Sequence, residues 1–284
     1  MAGEFFLQEE VVYMRKVLCA VLLSAILASP VCAEVVGVLA KMNAAPEDYQ
    51  NFLAERRSKK VRAAMSYKGD GIVCSFYSSM TAMLMALNSG KVDVIFLPEC
   101  VANYVLRENE DTEARDSISG QRLMGLTMGF RAESSGLRDD VNSVLSAMAK
   151  DGTSSLLVRR NISGPGANTP KSAKFEKFKG AKTLKVAITG DLPPIDYVDA
   201  GGNAAGFNTA LLAELGRRLG VNIELVQVDA GARAAALISG RVDCVFWFAL
   251  YSGGGYQWDI PEGVIVTSPY FSWDKNWFVG IGKR

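Results

Sequence analysis

The chain repeats a ten-residue pattern at a distance of 150 positions, and this repeat constrains the fold more than any other feature. Leu87-Asn88-Ser89-Gly90-Lys91-Val92-Asp93-Val94-Ile95-Phe96 lines up with Leu237-Ile238-Ser239-Gly240-Arg241-Val242-Asp243-Cys244-Val245-Phe246, glycine on glycine at 90 and 240. Each copy reads as a helix end, a glycine that supplies the left-handed stop, and a buried strand entered through a basic residue and an aspartate. One such junction is common. Two of them, in a chain where short apolar β-branched runs alternate with longer helical patterns, point to two similar α/β lobes.

The alternation runs on from Glu34. Strands are expected at 35–39, 61–65, 72–76 and 92–97, with helices at 45–57, at 80–87 and from 101. A strand from Leu126 precedes a helix over 137–150 whose Leu137, Val141, Val144, Leu145 and Met148 share one stripe. After Arg160 the run NISGPGANTPKSAKFEKFKGAK is rich in Gly, Pro, Ser, Asn and Lys and reads as a surface linker without a packed element. Strands at 184–189, 221–228, 242–248 and 276–281 and helices at 207–219 and 232–238 complete the second lobe. Ligands of open α/β sheets bind beyond the carboxyl ends of the strands, which places a cleft at the ends of 92–97 and 242–248.

Composition removes whole classes of chemistry. The 284 residues contain no histidine, which excludes Ser-His-Asp, Cys-His and His-zinc sites. Lys and Arg number 31 against 30 Asp and Glu, with no basic tract to follow a phosphate backbone, so nucleic acid is not an expected partner. No CxxC spacing is present, and neither a metal nor a cofactor is expected. Catalysis by carboxylates, Lys, Tyr or Cys stays open.

The N-terminal region reads as a leader. Residues 14–33, MRKVLCAVLLSAILASPVCA, carry a basic start, an apolar run over 17–27 and a small-residue end before Glu34, the plan of a cleaved secretory signal. The run is short for a membrane span, the alternative being an N-terminal anchor. Residues 1–13 are acidic, fit poorly ahead of a signal, and are set aside from the fold. Cleavage leaves Cys74, Cys100 and Cys244, enough for one disulfide at most, and Cys74 and Cys244 lie in strand-like runs where a small buried hydrophobe is the simpler role.

The segment LKVAITGDLPPIDYVDAGGNAAGFNTALLAELGRRLGVNIELVQVDAGARAAALISGRVDCVF resembles the first lobe of extracellular solute-binding proteins of the polar amino acid uptake type. TSPYFSWDKNWFVGIGKR resembles the stretch that crosses to their second lobe, VDVIFLPECVANYVLREN the core of that lobe, and LTMGFRAESSGLRDDVNSVLSAMAKDGTSSLL the return strand and helix. The resemblance implies a two-lobed α/β fold of the type II periplasmic-binding-protein (Venus-flytrap) kind. The order departs from the family, since this chain starts in the second lobe and finishes at the first crossover, as in a circular permutant. Its parts would be a leader at 1–33, a second-lobe-like domain at 34–126, and a hinge strand with return helix at 127–160. A linker at 161–182 and a first-lobe-like domain at 183–284 would follow. Remnants of two tandem domains are the competing explanation.

Candidate site residues follow from the same comparison. In the family an Asp two residues before the Val-Ala pair holds the ligand ammonium, and Glu99 stands there before Val101-Ala102; the simpler role is a charge on the helix dipole. The family's carboxylate-clamping Arg is replaced by the glycines of Ala249-Leu250-Tyr251-Ser252-Gly253-Gly254-Gly255, whose N–H groups suit an anion or form a plain turn. Tyr251 and Ser252 lie in that stretch, just before the glycines. Trp247, at a strand end, serves either a pocket wall or the core. Asp191 and Tyr197 beside the Pro-Pro turn, and Arg233, complete the set, with solvated turn residues the alternative for the first two. No catalytic or metal-ligating residue is assigned. The expected function is periplasmic capture of a small polar, cationic or amino-acid-like ligand by a monomer that delivers it to the membrane subunits of an ABC importer. The alternatives are a dehydratase on this scaffold, with Arg131 and Arg233 as clamps, and a ligand-sensing domain.

Overall fold

A computed structural model describes residues 34–39, 72–119, 123–163, 172–251, 260–272 and 276–284. The leader, the helix expected at 45–57 and the strand expected at 61–65 lie outside them. Two five-stranded sheets form two lobes, called first and second in chain order, so that the first lobe here is the second-lobe-like domain of the sequence and the second lobe the first-lobe-like one. In the first lobe, β1 (Glu34–Leu39), β2 (Ile72–Tyr77) and β3 (Val94–Pro98) are parallel, with helix α1 (Met80–Asn88) connecting β2 to β3. Helix α2 (Glu99–Glu108) and β4 (Thr112–Ser119) follow. In the second lobe, β6 (Thr183–Ile188), β10 (Asn222–Gln227) and β11 (Cys244–Tyr251) are the parallel strands, with α5 (Phe207–Leu219) and α6 (Arg233–Ile238) between them. A small sheet of β7 (Asp191–Leu192), β8 (Asp196–Val198) and β9 (Ala204–Ala205) sits on this lobe.

Each lobe receives a strand from the other. Strand β5 (Leu123–Arg131) follows β4 in sequence yet pairs antiparallel with β11, and β12 (Val264–Val266) pairs with β5. Reciprocally, β13 (Asn276–Lys283) follows the second lobe and pairs antiparallel with β3 and β4. The orders β2-β1-β3-β13-β4 and β10-β6-β11-β5-β12 therefore correspond position by position. After β5, helices α3 (Ser135–Lys150) and α4 (Thr153–Val158) pack beside α5.

The repeat seen in the sequence is a repeat of hydrogen bonds. Asp93 accepts from Val35 N at 2.8 Å and Asp243 accepts from Lys185 N at 2.9 Å, each across 58 positions. Ser89 Oγ donates to Ala86 O at 3.2 Å and Ser239 Oγ to Ala236 O at 3.3 Å. Both glycine stops are left-handed, with φ of 72° at Gly90 and 75° at Gly240, where only glycine avoids a steric cost. The crossing strands close the motif: Arg131 at the end of β5 donates to Leu237 O and Val242 O, and Lys283 at the end of β13 donates to Asn88 O. These cations meet the negative ends of α6 and α1, where charge and dipole agree.

The core is shared. One buried cluster runs from Met83, Leu87 and Ile95 of the first lobe through Leu126, Met128 and Phe130 of β5 to Val186, Phe207 and Phe246 of the second. A smaller one, Ala187, Val228, Ala236, Leu237, Val242 and Val245, fills the space under α6.

Several elements depart from the sequence reading. Strand β11 continues to Tyr251, past the expected end at 248, because β5 pairs with it as far as Leu123↔Tyr251. Helix α2 begins at Glu99, not 101, since Pro98 ends β3 and is itself the N-terminal cap. Part of the expected linker is tied down. Asn161 is buried and donates to Leu157 O at 2.8 Å, Ser172 bridges to Ala205, and the Asn222 side chain accepts from Phe178 N at 2.8 Å.

Candidate functional site

The carboxyl ends of the two sheets face each other, and the lobes meet there through direct bonds. Strand β2 ends at Tyr77, and Ser79 caps α1, its Oγ accepting from Ala82 N at 3.2 Å. From the second lobe, Asp191 on β7 reaches this helix start. Its Oδ2 accepts from Met80 N at 2.7 Å and Thr81 N at 3.4 Å. Beside it, Ala230 N donates to Ser78 O at 3.1 Å. Burial pushes the Asp191 carboxyl above the ordinary 3.8, the two N–H donors pull it down, and the nearby Asp196 charge raises it again.

Tyr197 stands opposite Asp191 in the β7–β8 pair. Burial raises its pKa, and Tyr104 of α2, across the lobe boundary, adds to the rise. The Arg107 guanidinium lies 5.6 Å from the Tyr104 ring centre, within cation–π range. The arrangement brings Asp191 and Tyr197 together at the lobe boundary with main-chain donors of α1 and a phenol of α2.

Beneath these residues lies a buried polar layer. Asp196 is 1% exposed; its Oδ1 accepts from Thr189 N, Thr189 Oγ1 and Gly190 N, and its Oδ2 from Asn208 Nδ2 at 3.2 Å. Arg233 is 4% exposed, with Nε on Ala230 O and Nη1 on Phe246 O, both at 2.9 Å. Its guanidinium thus holds main-chain carbonyls at the turn into α6 and within β11. Tyr270 packs edge-on against Phe246, and burial drives its hydroxyl pKa well above 10. Gly206, before α5, has φ of 104°, and a Cβ there would stand 2.5 Å from Ile195 O, so only glycine fits this approach.

Glu99 sits elsewhere in the first lobe. As the first residue of α2 it lines an open cavity of about 440 Å³ with Asn103, Arg115, Asp116 and Ser117, and none of the other sequence-predicted residues shares it. Trp247 lies within β11 and Tyr251 ends that strand, while Ser252 is outside the described residues. Cys244 is fully buried and its thiol pKa is driven well up, which suits a structural hydrophobe. Among the described residues no group of three acidic or sulfur ligands is arranged for a metal, and no helix is long and apolar enough to cross a membrane.

Ser78, Ser79, Met80, Thr81 and Tyr104 are boundary residues that sequence reasoning missed. Paired serines before an apolar run signal a helix cap, but nothing local tells which lobe that helix will meet.

A family model for bacterial extracellular solute-binding proteins, family 3, matches residues 184–249, the stretch from β6 through most of β11. The fold is a mixed α/β arrangement of two five-stranded sheets that exchange one strand each. Among solved structures, the periplasmic aliphatic sulphonate binding protein SsuA from Escherichia coli is similar at 14% identity and a TM-score of 0.42. The match covers 89% of this chain and 65% of that one. An amino acid ABC transporter substrate-binding protein, AbpA, from Streptococcus pneumoniae, bound to L-arginine, aligns at 12% identity and a TM-score of 0.39 over 89% and 82% of the two chains. The LysR-family regulator CbnR aligns at 12% and 0.41, over 100% and 75%. A search of curated proteins finds no match.

Proposed function

We propose that the protein is a periplasmic solute-binding protein that captures a small polar, cationic or amino-acid-like ligand between its lobes and delivers it to an ABC importer. The observation that carries this reading is the pair of strands crossing between two matched lobes whose strand ends meet at a boundary lined with polar groups. Strands that cross between lobes are the segments about which two sheets can turn around a ligand. Asp191, Tyr197 and Tyr104 supply acceptor and aromatic surface there, while Glu99 lines a separate first-lobe cavity that none of them shares. Trp247, Tyr251 and Ser252 are proposed from the sequence as further ligand contacts. Export through the leader at 14–33 places the protein in the periplasm.

Native mass spectrometry of freshly purified protein, followed by thermal shift with amino acids, polyamines and alkanesulfonates, tests the reading. A bound small molecule, or a midpoint that rises with ligand concentration, is expected; about 4 kcal/mol of stabilisation accompanies a thousandfold excess over Kd. Glu99→Gln separates the two places: a cationic ligand held in the Glu99 cavity should weaken by about 30-fold or more, and one held at the lobe boundary should be unaffected. No co-purifying mass and no shift across the panel would overturn the proposal.

We further propose that the lobe order arose by circular permutation. Gly282 and Val36 flank Val94 on either side, so the first and last described strands lie two strand spacings apart, about 10 Å. A gene reordered to begin near residue 172 and to join residue 284 to residue 34 by a short linker should yield the same fold and a similar melting temperature. Failure of that protein to fold refutes the permutation.

A further inference from the structure

We infer that Asp191 is a built-in clasp whose carboxylate docks on the N-terminus of helix α1 in the opposite lobe and draws the lobes together through the protein's own groups. The inference rests on the two-lobed fold and is independent of which solute is bound. Four N–H groups open an α-helix without partners of their own. In α1 the Ser79 hydroxyl takes Ala82 N, and regular helical bonding begins with Met83 N on Ser79 O. Met80 N and Thr81 N are left, and Asp191 Oδ2 takes both. The first turn of α1 is therefore completed by a residue 111 positions away, on the other lobe.

Charge and position both favour this contact. An ionised carboxylate at a helix N-terminus meets the positive end of the dipole, and hydrogen bonds to a charged acceptor are stronger than neutral ones. The adjoining Ala230 N to Ser78 O bond, at 3.1 Å, joins the segment before α1 to the segment before α6. Met80 and Ala230 are 150 positions apart, so the two bonds lie where the repeat meets itself. A contact of this kind biases the lobes toward closure before any solute adds its own bridging interactions, and it keeps a ligand anion from the start of α1 while the lobes are together.

Hydrogen exchange separates a clasp from a local helix cap. In protein dialysed free of small molecules at pH 7, Asp191→Ala should speed exchange of the Met80 and Thr81 amides and, by about tenfold, that of Ala230, which Asp191 does not touch. Sodium acetate at about 0.1 M should slow all three again by filling the vacated donors. Ala230→Pro removes the second bond, with proline at a position where a helical turn accepts it, and should in turn expose Met80 and Thr81. If Asp191→Ala speeds only Met80 and Thr81, Asp191 is a cap and the clasp is refuted. Should Asp191→Ala fail to fold, unchanged Met80 and Thr81 exchange in Ala230→Pro refutes it equally.

Discussion

The two lobes use one plan but are held differently. Both have three parallel strands and a borrowed antiparallel fourth, an aspartate on a main-chain N–H across 58 positions, and a basic residue from the crossing strand on a helix end. Beyond the plan they diverge. Asp93 of the first lobe is exposed, whereas Asp243 of the second also pairs with Arg131 at 3.4 Å. The first lobe's repeat helix, α1, has a serine cap and receives Asp191 from outside, while its counterpart α6 starts from Ala232 without a side-chain cap and is anchored by the buried Arg233. The repeat thus preserves how a lobe folds, and the differences gather where the lobes meet.

The largest effect that probes this comparison is in the core. Leu87 and Leu237 occupy equivalent positions and are 1% and 0% exposed, so alanine at either should cost about 2–5 kcal/mol in urea unfolding. Leu87 belongs to the large shared cluster and Leu237 to the small one under α6, which places the greater loss at Leu87. Both variants should unfold in one transition because β5 and β13 tie the lobes together. Two separated transitions would break the picture of a common core.

A smaller effect is specific to the second lobe. Asp151 accepts from Thr153 N at 3.0 Å and from Arg218 Nη1 at 2.7 Å, and bonds to Thr153 and Arg218 lower its carboxyl pKa to about 2. A carboxyl with a depressed folded pKa adds stability above its unfolded value near 3.8, and that stability is lost as pH falls toward 2. Melting temperatures of wild type and Asp151→Asn should therefore differ at pH 6 and converge by pH 2. A difference that persists at pH 2 would show that the ion pair is not its source.

Much of the fold was legible because it is written locally. Glycine stops at 90 and 240, the apolar stripe of α3 and the β-branched runs of β3 and β11 carry their own conformational preferences. Strands β7, β8, β9 and β12 span only 2 or 3 residues each, too short for any periodicity to register. The stretch at 172–182 reads as a linker because its composition is polar, yet the Asn222 side chain clips its backbone from 44 positions away at Phe178. At the candidate site, Asp191 and Tyr197 were picked out by their place beside the Pro-Pro turn. Their partners Met80, Thr81 and Tyr104 could not be read in the same way, because they come from the other lobe.

By itself, the sequence determined that the chain builds two related α/β lobes, because helix stops, strand runs and hydrophobic periodicity act over a few residues. It also excluded imidazole chemistry, because a residue type absent from the chain cannot be supplied by folding. Only the tertiary structure decided that each lobe lends a strand to the other and that Asp191 closes the first turn of a helix across the boundary. Those outcomes depend on which surfaces come to face each other once the two sheets have formed, and contacts over a hundred positions apart leave no local trace in the chain.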